Sequence, residues 1–370
     1  MRKHHYLTIG LLSIVLFTLY KPAFAQNILP MKHEMRDGVS LYDINKKQAV
    51  ANYNTYASQA DYNEKAQTLC ALDYYNGQVW MAQNAQQKRA IVHTLKKDDI
   101  YMPEGGGMRV DNQGRCLVSL DRRNNQLILA SLNTPVKIIT LQAPTQSSQN
   151  FPEDDPVQSI LYHPDAGFLI VSKYSYAVVP AGENDVPETL TRIEPKGRVQ
   201  GTQLRLMKEK GTLSPDGKIL YTYAEIADEN YSAFEALIAL DIESGNFQRI
   251  YLPAMENGYN EDTFHFDQHY IVADGAVGLS SDGKTLYANA YKERRSVDED
   301  RTFLLVAIHV ETGAVEPVTL PQELMDSEFM GLQQSTGNLI FQQGGYDERK
   351  TVFFDANKQQ VVYTIDASMY

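Results

Sequence analysis

"LSPDGKILYTY", Leu213 to Tyr223, returns 66 residues later as "LSSDGKTLYAN", Leu279 to Asn289. Each phrase sets a polar turn between apolar runs. Asp216-Gly217 and Asp282-Gly283 suit a tight hairpin, because glycine takes a positive φ with no Cβ to clash. Looser copies of the same plan lie on either side: "YYNGQVWMA" around Asn76, "DNQGRCLVS" around Gln113, "HPDAGFLIV" around Asp165 and "QSTGNLIFQ" around Thr336. Together they make six related first hairpins.

A second phrase alternates with the first, an apolar strand, a short polar turn and another strand. It reads "LIALDIESGNFQRIYLP" from Leu237, "LLVAIHVETGAVEPVTLP" from Leu304, "TVFFDANKQQVVYTI" from Thr351 and "VSLYDINKKQAVANY" from Val39. Weaker forms are "LILASLNTPVKIITL" from Leu127, "AIVHTLKKDDIYMP" from Ala90 and the stretch Tyr176 to Ile193. Helical periodicity is scarce throughout. Four antiparallel strands per unit, recurring with variable insertions, predict an all-β chain folded as a β-propeller, in which neighbouring blades cover the faces no blade can bury alone. Six first hairpins and seven second ones predict seven blades, with six or eight as the alternatives. The surplus hairpin at Val39 to Tyr53 would close the circle between the two chain ends.

The repeated "SPDGKILY" and "SSDGKTLY", each followed by an apolar strand and then "ESG" or "ETG", resemble the YVTN and lactonase-like seven-bladed propeller family of exported bacterial proteins. The resemblance covers Gly211 to Leu320 well and the rest by rhythm. No blade carries the "YVTN" strand itself; "YTYA" at Tyr221 and "YANA" at Tyr287 come nearest. The resemblance implies the fold and leaves activity open, since propellers host enzymes, binding modules and scaffolds alike.

Residues 1–25 have the form of a secretory signal: Arg2 and Lys3, an apolar run from Tyr6 to Tyr20, and Ala23-Phe24-Ala25 before the expected cut at Gln26. The run is shorter than the roughly 20 residues that cross a bilayer. No cysteine follows the cut to take a lipid. The expectation is one domain, 26–370, in the periplasm or secreted, with no membrane insertion after cleavage. Cleavage removes three of the 34 Lys and Arg and leaves 31 against 46 Asp and Glu, a formal charge of -15. Such a surface repels phosphate backbones, so no nucleic-acid partner is expected. Cys70 and Cys116 either pair in an oxidising compartment or sit apart as buried thiols.

Strand parity sorts the connections. Turns within hairpins, such as Pro215 to Lys218 and Glu243 to Asn246, fall on one face and are short. Links between hairpins fall on the other and are long: Ala143 to Pro156, Glu225 to Ala233, Pro253 to Asp274 and Lys292 to Arg301. Long loops gathered on one rim of a rigid ring are where binding and catalysis concentrate. Within them His265, Asp267 and His269 of "HFDQH" alternate toward one side of an extended segment and are candidate ligands for a transition metal such as zinc, with Glu261 and Asp262 nearby. Glu153, Asp154 and Asp155 of "PEDDP" and Asp298, Glu299 and Asp300 of "SVDEDR" are candidate ligand-binding carboxylates, able to offer hard oxygens to calcium or simply to stay solvated. Tyr221, Tyr223, Tyr287 and Tyr291 read chiefly as filling between blades.

No nucleophile elbow, H-E-x-x-H or phosphate loop is present, and Gly105-Gly106-Gly107 leads into a strand pattern. No cofactor can be named. The leading expectation is a binding module for a periplasmic protein or small-molecule ligand. The alternative is an enzyme or enzyme subunit, either a lactonase-like hydrolase or the propeller subunit of a periplasmic quinone-dependent amine dehydrogenase, whose cofactor lies in a partner chain.

Overall fold

In a computed structural model, the described residues are 27–33, 38–73, 75–84, 89–95, 107–119, 125–145, 155–182, 186–196, 203–206, 211–227, 233–251, 270–292, 302–325, 327–333, 336–344 and 349–369. They form seven β-sheets. Blade 1 holds β1 (Ile28–His33), β2 (Gly38–Asp43) and β3 (Gln48–Tyr53), with β29 (Ser368–Met369) from the far end of the chain laid on β1. Blade 2 runs β4 (Gln59–Asn63), β5 (Thr68–Asp73), β6 (Gln78–Gln83) and β7 (Ala90–Thr94). Blade 3 runs β8 (Met108–Val110), β9 (Cys116–Ser119), β10 (Gln126–Ala130) and β11 (Lys137–Gln142). Among the described residues blade 4 has three strands, β12 (Val157–His163), β13 (Gly167–Ser172) and β14 (Tyr176–Val179).

Blade 5 comprises β16 (Gln203–Leu206), β17 (Thr212–Leu213), β18 (Ile219–Ala227), β19 (Ala233–Asp241) and β20 (Phe247–Tyr251). Blade 6 comprises β21 (Tyr270–Leu279), β22 (Thr285–Lys292), β23 (Thr302–His309) and β24 (Val315–Pro317), and blade 7 comprises β25 (Glu328–Gln333), β26 (Asn338–Gln343), β27 (Lys350–Asp355) and β28 (Gln360–Ile365). The chain is a seven-bladed β-propeller, closed in blade 1 by one strand from its end and three from its beginning.

Burial follows from the ring. Seven apolar clusters occupy the seams, one between each pair of neighbouring blades, from Trp80 and Tyr62 between blades 1 and 2 to Phe353 and Met31 between blades 7 and 1. The middle strands carry side chains to both seams, which is why β5 and β13 are buried at every position.

The two repeated phrases make the same turn. Ser214 Oγ donates to Asp216 Oδ1 at 2.6 Å and accepts from the Ile219 amide at 2.9 Å; Ser280 does the same with Asp282 and Thr285, at 2.6 and 2.9 Å. Gly217 and Gly283 take φ of 71° and 73°. Each turn also seats on the one before it. A Cβ on Gly217 would lie 2.7 Å from the His163 ring, and one on Gly283 3.2 Å from Pro215. His163 stands where the serine stands in the other two turns. Its Nδ1 accepts from the Asp165 and Ala166 amides, so Nε2 carries the proton and donates to Pro215 O at 3.0 Å, tying blade 4 to blade 5.

Two hairpin assignments are corrected. Asn76-Gly77 joins β5 to β6, the second and third strands of blade 2, so this turn belongs to the face of the long connections. The first hairpin of that blade is β4 to β5, through Glu64 to Gln67. Of the segment from Ala90, the described residues supply one strand, β7, the outermost of blade 2, which closes a hairpin with β6; residues 96–103 lie outside the described residues.

The stretch Tyr176 to Ile193 departs further. Its returning strand, β15 (Thr189–Thr191), leaves blade 4 and adds a parallel fifth strand to β11 of blade 3. The chain then touches blade 4 through Ile193, which exchanges both backbone bonds with Tyr176 at 2.7 and 3.0 Å, and reaches blade 5 where the Lys196 amide donates to Gly245 O at 2.7 Å. Residues 189–196 thus form a strap over the outer rim of three blades.

Candidate functional site at the long-connection face

The described strand ends bear out the parity: β11 and β12, β18 and β19, β20 and β21, and β22 and β23 are separated by the four long connections. All four gaps open on one face. Blades 5 and 6 also reach further toward that face than the others, through β18 and β19 of nine residues, β21 of ten, and β22 and β23 of eight. The strands of the other blades run three to seven residues, the closing strand β29 two.

Both long blades break their inner strand at a similar level. In blade 5, β17 pairs with Leu220 and Tyr221, and β16 takes over from Ala224 to Ala227. In blade 6, Val277 pairs with Ala288 and Val272 with Ala290, so four residues of β21 bulge against one of β22. Bulges of this kind bend a strand and re-aim what lies beyond it. The result is a lip of two neighbouring three-stranded extensions standing on the ring. It also accounts for part of the 66-residue spacing between the two phrases, because the added lengths of β18, β19 and β21 all lie between them.

β16 anchors the lip to its neighbour. Leu204 and Leu206 are buried in the seam between blades 4 and 5, and the Leu206 amide donates to Lys173 O at 2.7 Å. On the same strand Arg205 Nη1 donates to Glu225 Oε2 across the sheet at 3.1 Å, half exposed. Lys173 Nζ sits 4.9 Å from the Tyr174 ring centre. Cation, carboxylate and aromatic ring therefore border the lip where it meets blade 4, a set suited to recognising a polar partner.

Asp155 is inside. It is fully buried, accepts from the Tyr174 amide at 2.7 Å and from the Ser175 hydroxyl, and lies 3.7 Å from Arg192 Nε. Arg192, itself 3% exposed, also donates to Asp155 O at 2.8 Å and Asn125 Oδ1 at 2.9 Å. The cluster clamps the strap into the seam of blades 3 and 4, so the Asp155 carboxylate is committed to the fold. Glu153, Asp154, Asp298, Glu299, Asp300, His265, Asp267 and His269 lie outside the described residues, as do Glu261, Asp262 and the leader, residues 1–25. Among the described residues no three His, Cys, Asp or Glu side chains stand where they could share a metal ion, and no helix is long and apolar enough to cross a membrane.

Cys70 and Cys116 are joined in a disulfide between the second strands of blades 2 and 3, with Cα atoms 6.3 Å apart. Tyr221 and Tyr223 are buried in the seam of blades 5 and 6, and burial pushes the phenols of Tyr221 and Tyr287 up. The lip, the strap and the Arg192 clamp had no motif to announce them; the length of the "ILYTYAEIA" run at Ile219 was the one available signal for the lip.

No protein-family model matches this chain, and no curated protein matches it. Solved structures do. An ancestral GH74 enzyme aligns over 94% of this chain and 45% of its own, at 10% identity and a TM-score of 0.52. A functionally unknown protein from Desulfotomaculum acetoxidans aligns over 93% of this chain and 98% of its own, at 12% identity and 0.50. Kuenenia stuttgartiensis hydrazine synthase aligns over 82% and 77%, at 16% and 0.50. The likeness is one of fold.

Proposed function

We propose that the mature chain is an exported propeller of the YVTN-like kind that works as a binding module, holding a small-molecule ligand or a periplasmic protein at the lip of blades 5 and 6. The shared break in the inner strands of these two blades supports this reading. The lip is rooted in the seam of blades 4 and 5 through Leu204, Leu206 and Ala224, and above that root it carries strand length that the other five blades close the ring without. Loops raised on a rigid scaffold supply contact surface while the scaffold carries the stability.

The test is a short-lip variant in which residues 226–234 are replaced by Asn-Gly across the Glu225–Glu235 rung, which keeps the buried Ala224 and its pairing with Leu206. Purified native and short-lip proteins are incubated with periplasmic extract, and the retained proteins and small molecules are identified by mass spectrometry. The expected result is that a defined subset is lost from the variant while its melting temperature stays within a few degrees. Retention of the same set by both proteins overturns the assignment. Fractionation of cells expressing the chain with and without residues 1–25 tests export separately.

A further inference from the structure

The exposed charges of the short-turn face divide by blade. In these turns blades 7, 1 and 2 expose Lys358, Lys46, Lys47, Lys65 and Arg89, and no carboxylate among the described residues. Their three acids are engaged below: Asp43 and Asp355 hold Lys46 and Lys358 at 3.0 and 2.7 Å, and half-buried Glu64 accepts from the Asn27 amide at 2.7 Å. Blades 4, 5 and 6 expose Asp165, Asp216, Glu243, Asp282 and Glu311, with Asp241 and the strap's Glu194 half-buried beside them. Lys218, Lys284 and, from the strap, Lys196 offset part of that charge. Five cations over three carboxylates leave the first half a formal +2, and seven carboxylates over three cations leave the second a formal -4. The turn residues of this face outside the described residues, 85–88, 183–185 and 334–335, add one cation after β6 and two carboxylates after β14, the sign of their own half.

Blade 3 lies between the halves and is neutral. Its turns, 111–115 and 131–136, expose Gln113, Asn133, Thr134 and Pro135, and their one cation, Arg115, is half-buried on Asp111 at 2.7 Å. A second copy turned over by a two-fold axis lying in this face meets the first with its blade order reversed. With the axis over blade 3, blade 2 opposes blade 4, blade 1 opposes blade 5 and blade 7 opposes blade 6. Every cationic blade then faces an acidic one, and the neutral blade faces itself. An axis over blade 1 would instead set blade 2 against blade 7, cation on cation. The face therefore carries its own complement, the requirement of an isologous contact.

We infer that two copies of this chain stack short-turn face to short-turn face about a two-fold axis over blade 3. The contact is electrostatic, since the exposed large apolar side chains among the described residues, Tyr75, Ile91, Ile138, Met325 and Val362, all lie outside these turns. Each chain is acidic as a whole, but charge on the far sides of the rings lies beyond the Debye length of about 10 Å at about 0.1 M salt, so the opposed turns decide. Both long-connection faces then point outward. The inference does not depend on the lip.

Sedimentation equilibrium of the mature chain reads it. At about 0.1 M NaCl the weight-average mass rises toward twice the monomer value between about 0.01 and 1 mM protein; at about 1 M NaCl, where the Debye length is about 3 Å, it stays at the monomer value. Lys47→Glu with Lys65→Glu, and separately Asp165→Lys with Glu243→Lys, each raise the apparent Kd more than about tenfold. Mixed in equal amounts, the two double variants associate to within about threefold of the native Kd, because each reversed blade meets its reversed opposite. All four sites are exposed, so melting temperatures stay near the native value. The short-lip variant dimerises as the native chain does. The inference is overturned if the native chain is monomeric at about 1 mM, if either double variant dimerises like the native chain, if the mixture stays monomeric, or if about 1 M NaCl leaves the dimer intact. Loss of the dimer in the short-lip variant overturns it equally, because the contact would then lie on the opposite face.

Discussion

The seam between blades 2 and 3 and the seam between blades 3 and 4 are neighbours, and both are tied across, by opposite means. In the first, the Cys70–Cys116 bond runs through an apolar cluster between two complete blades, beside Asp61, which accepts from the Val110 amide at 2.7 Å. In the second, blade 4 has surrendered its outer strand, and a buried Arg192–Asp155 pair clamps the strap that replaces it. A complete blade needs only a local staple. An incomplete one needs a tie that reaches three blades, and that tie can be polar because the Arg192 and Asp155 charges oppose each other and Arg192 also donates to Asp155 O and Asn125 Oδ1.

The comparison can be broken in graded steps. Arg192→Ala should have the largest effect, about 3–5 kcal/mol, because it strands a buried carboxylate; urea melts read it, and hydrogen exchange should localise the opening to residues 186–196. A loss under about 1 kcal/mol would mean that the strap holds without its clamp. Replacing both Cys70 and Cys116 by Ala should cost about 2–4 kcal/mol with no local opening at the strap. If the strap opens here too, the two seams act as one unit. Gly217→Ala should cost about 1–3 kcal/mol, since the new methyl meets the His163 ring at 2.7 Å at φ 71°, and should exceed Gly283→Ala, whose methyl meets Pro215 at 3.2 Å. Equal costs would show that φ alone matters.

A smaller effect appears in acid. The Ser214 hydroxyl, foremost, holds the Asp216 carboxyl below its ordinary value of 3.8, and Ser280 does the same for Asp282. Both groups are lowered on folding, so their contribution is present above that value and fades as pH falls through the folded pKa. Asp216→Asn with Asp282→Asn should flatten the acid limb of a pH–stability curve below about pH 4. An unchanged limb would assign acid sensitivity elsewhere. Smallest of all, Arg205→Ala should change stability by under about 1 kcal/mol, because its ion pair is exposed; calorimetric melting checks it.

The hairpins were legible where glycine marked them. The blade 2 error shows the limit. Its true first turn reaches positive φ at Gln67 (52°), with no glycine to advertise it, whereas Gly77 advertises a turn on the opposite face. Turn chemistry is local, and nothing in four residues says which end of a blade they cap. For the candidate site, "HFDQH" and the acidic clusters drew attention by composition, while the lip came from strand length and register, and the two charged halves of the short-turn face from the order in which the closed blades stand.

Alternating apolar strands and Asp-Gly turns, taken alone, determined that this chain is a repeating all-β ring with its long connections on one rim, because each strand's pattern and each turn's φ are set by neighbouring residues. Which strand leaves its blade, whether the cysteines meet, and which charged turns gather on one side of the ring were decided only by the closed circle. Those outcomes depend on contacts between blades, and a seam exists only once both of its sides are folded.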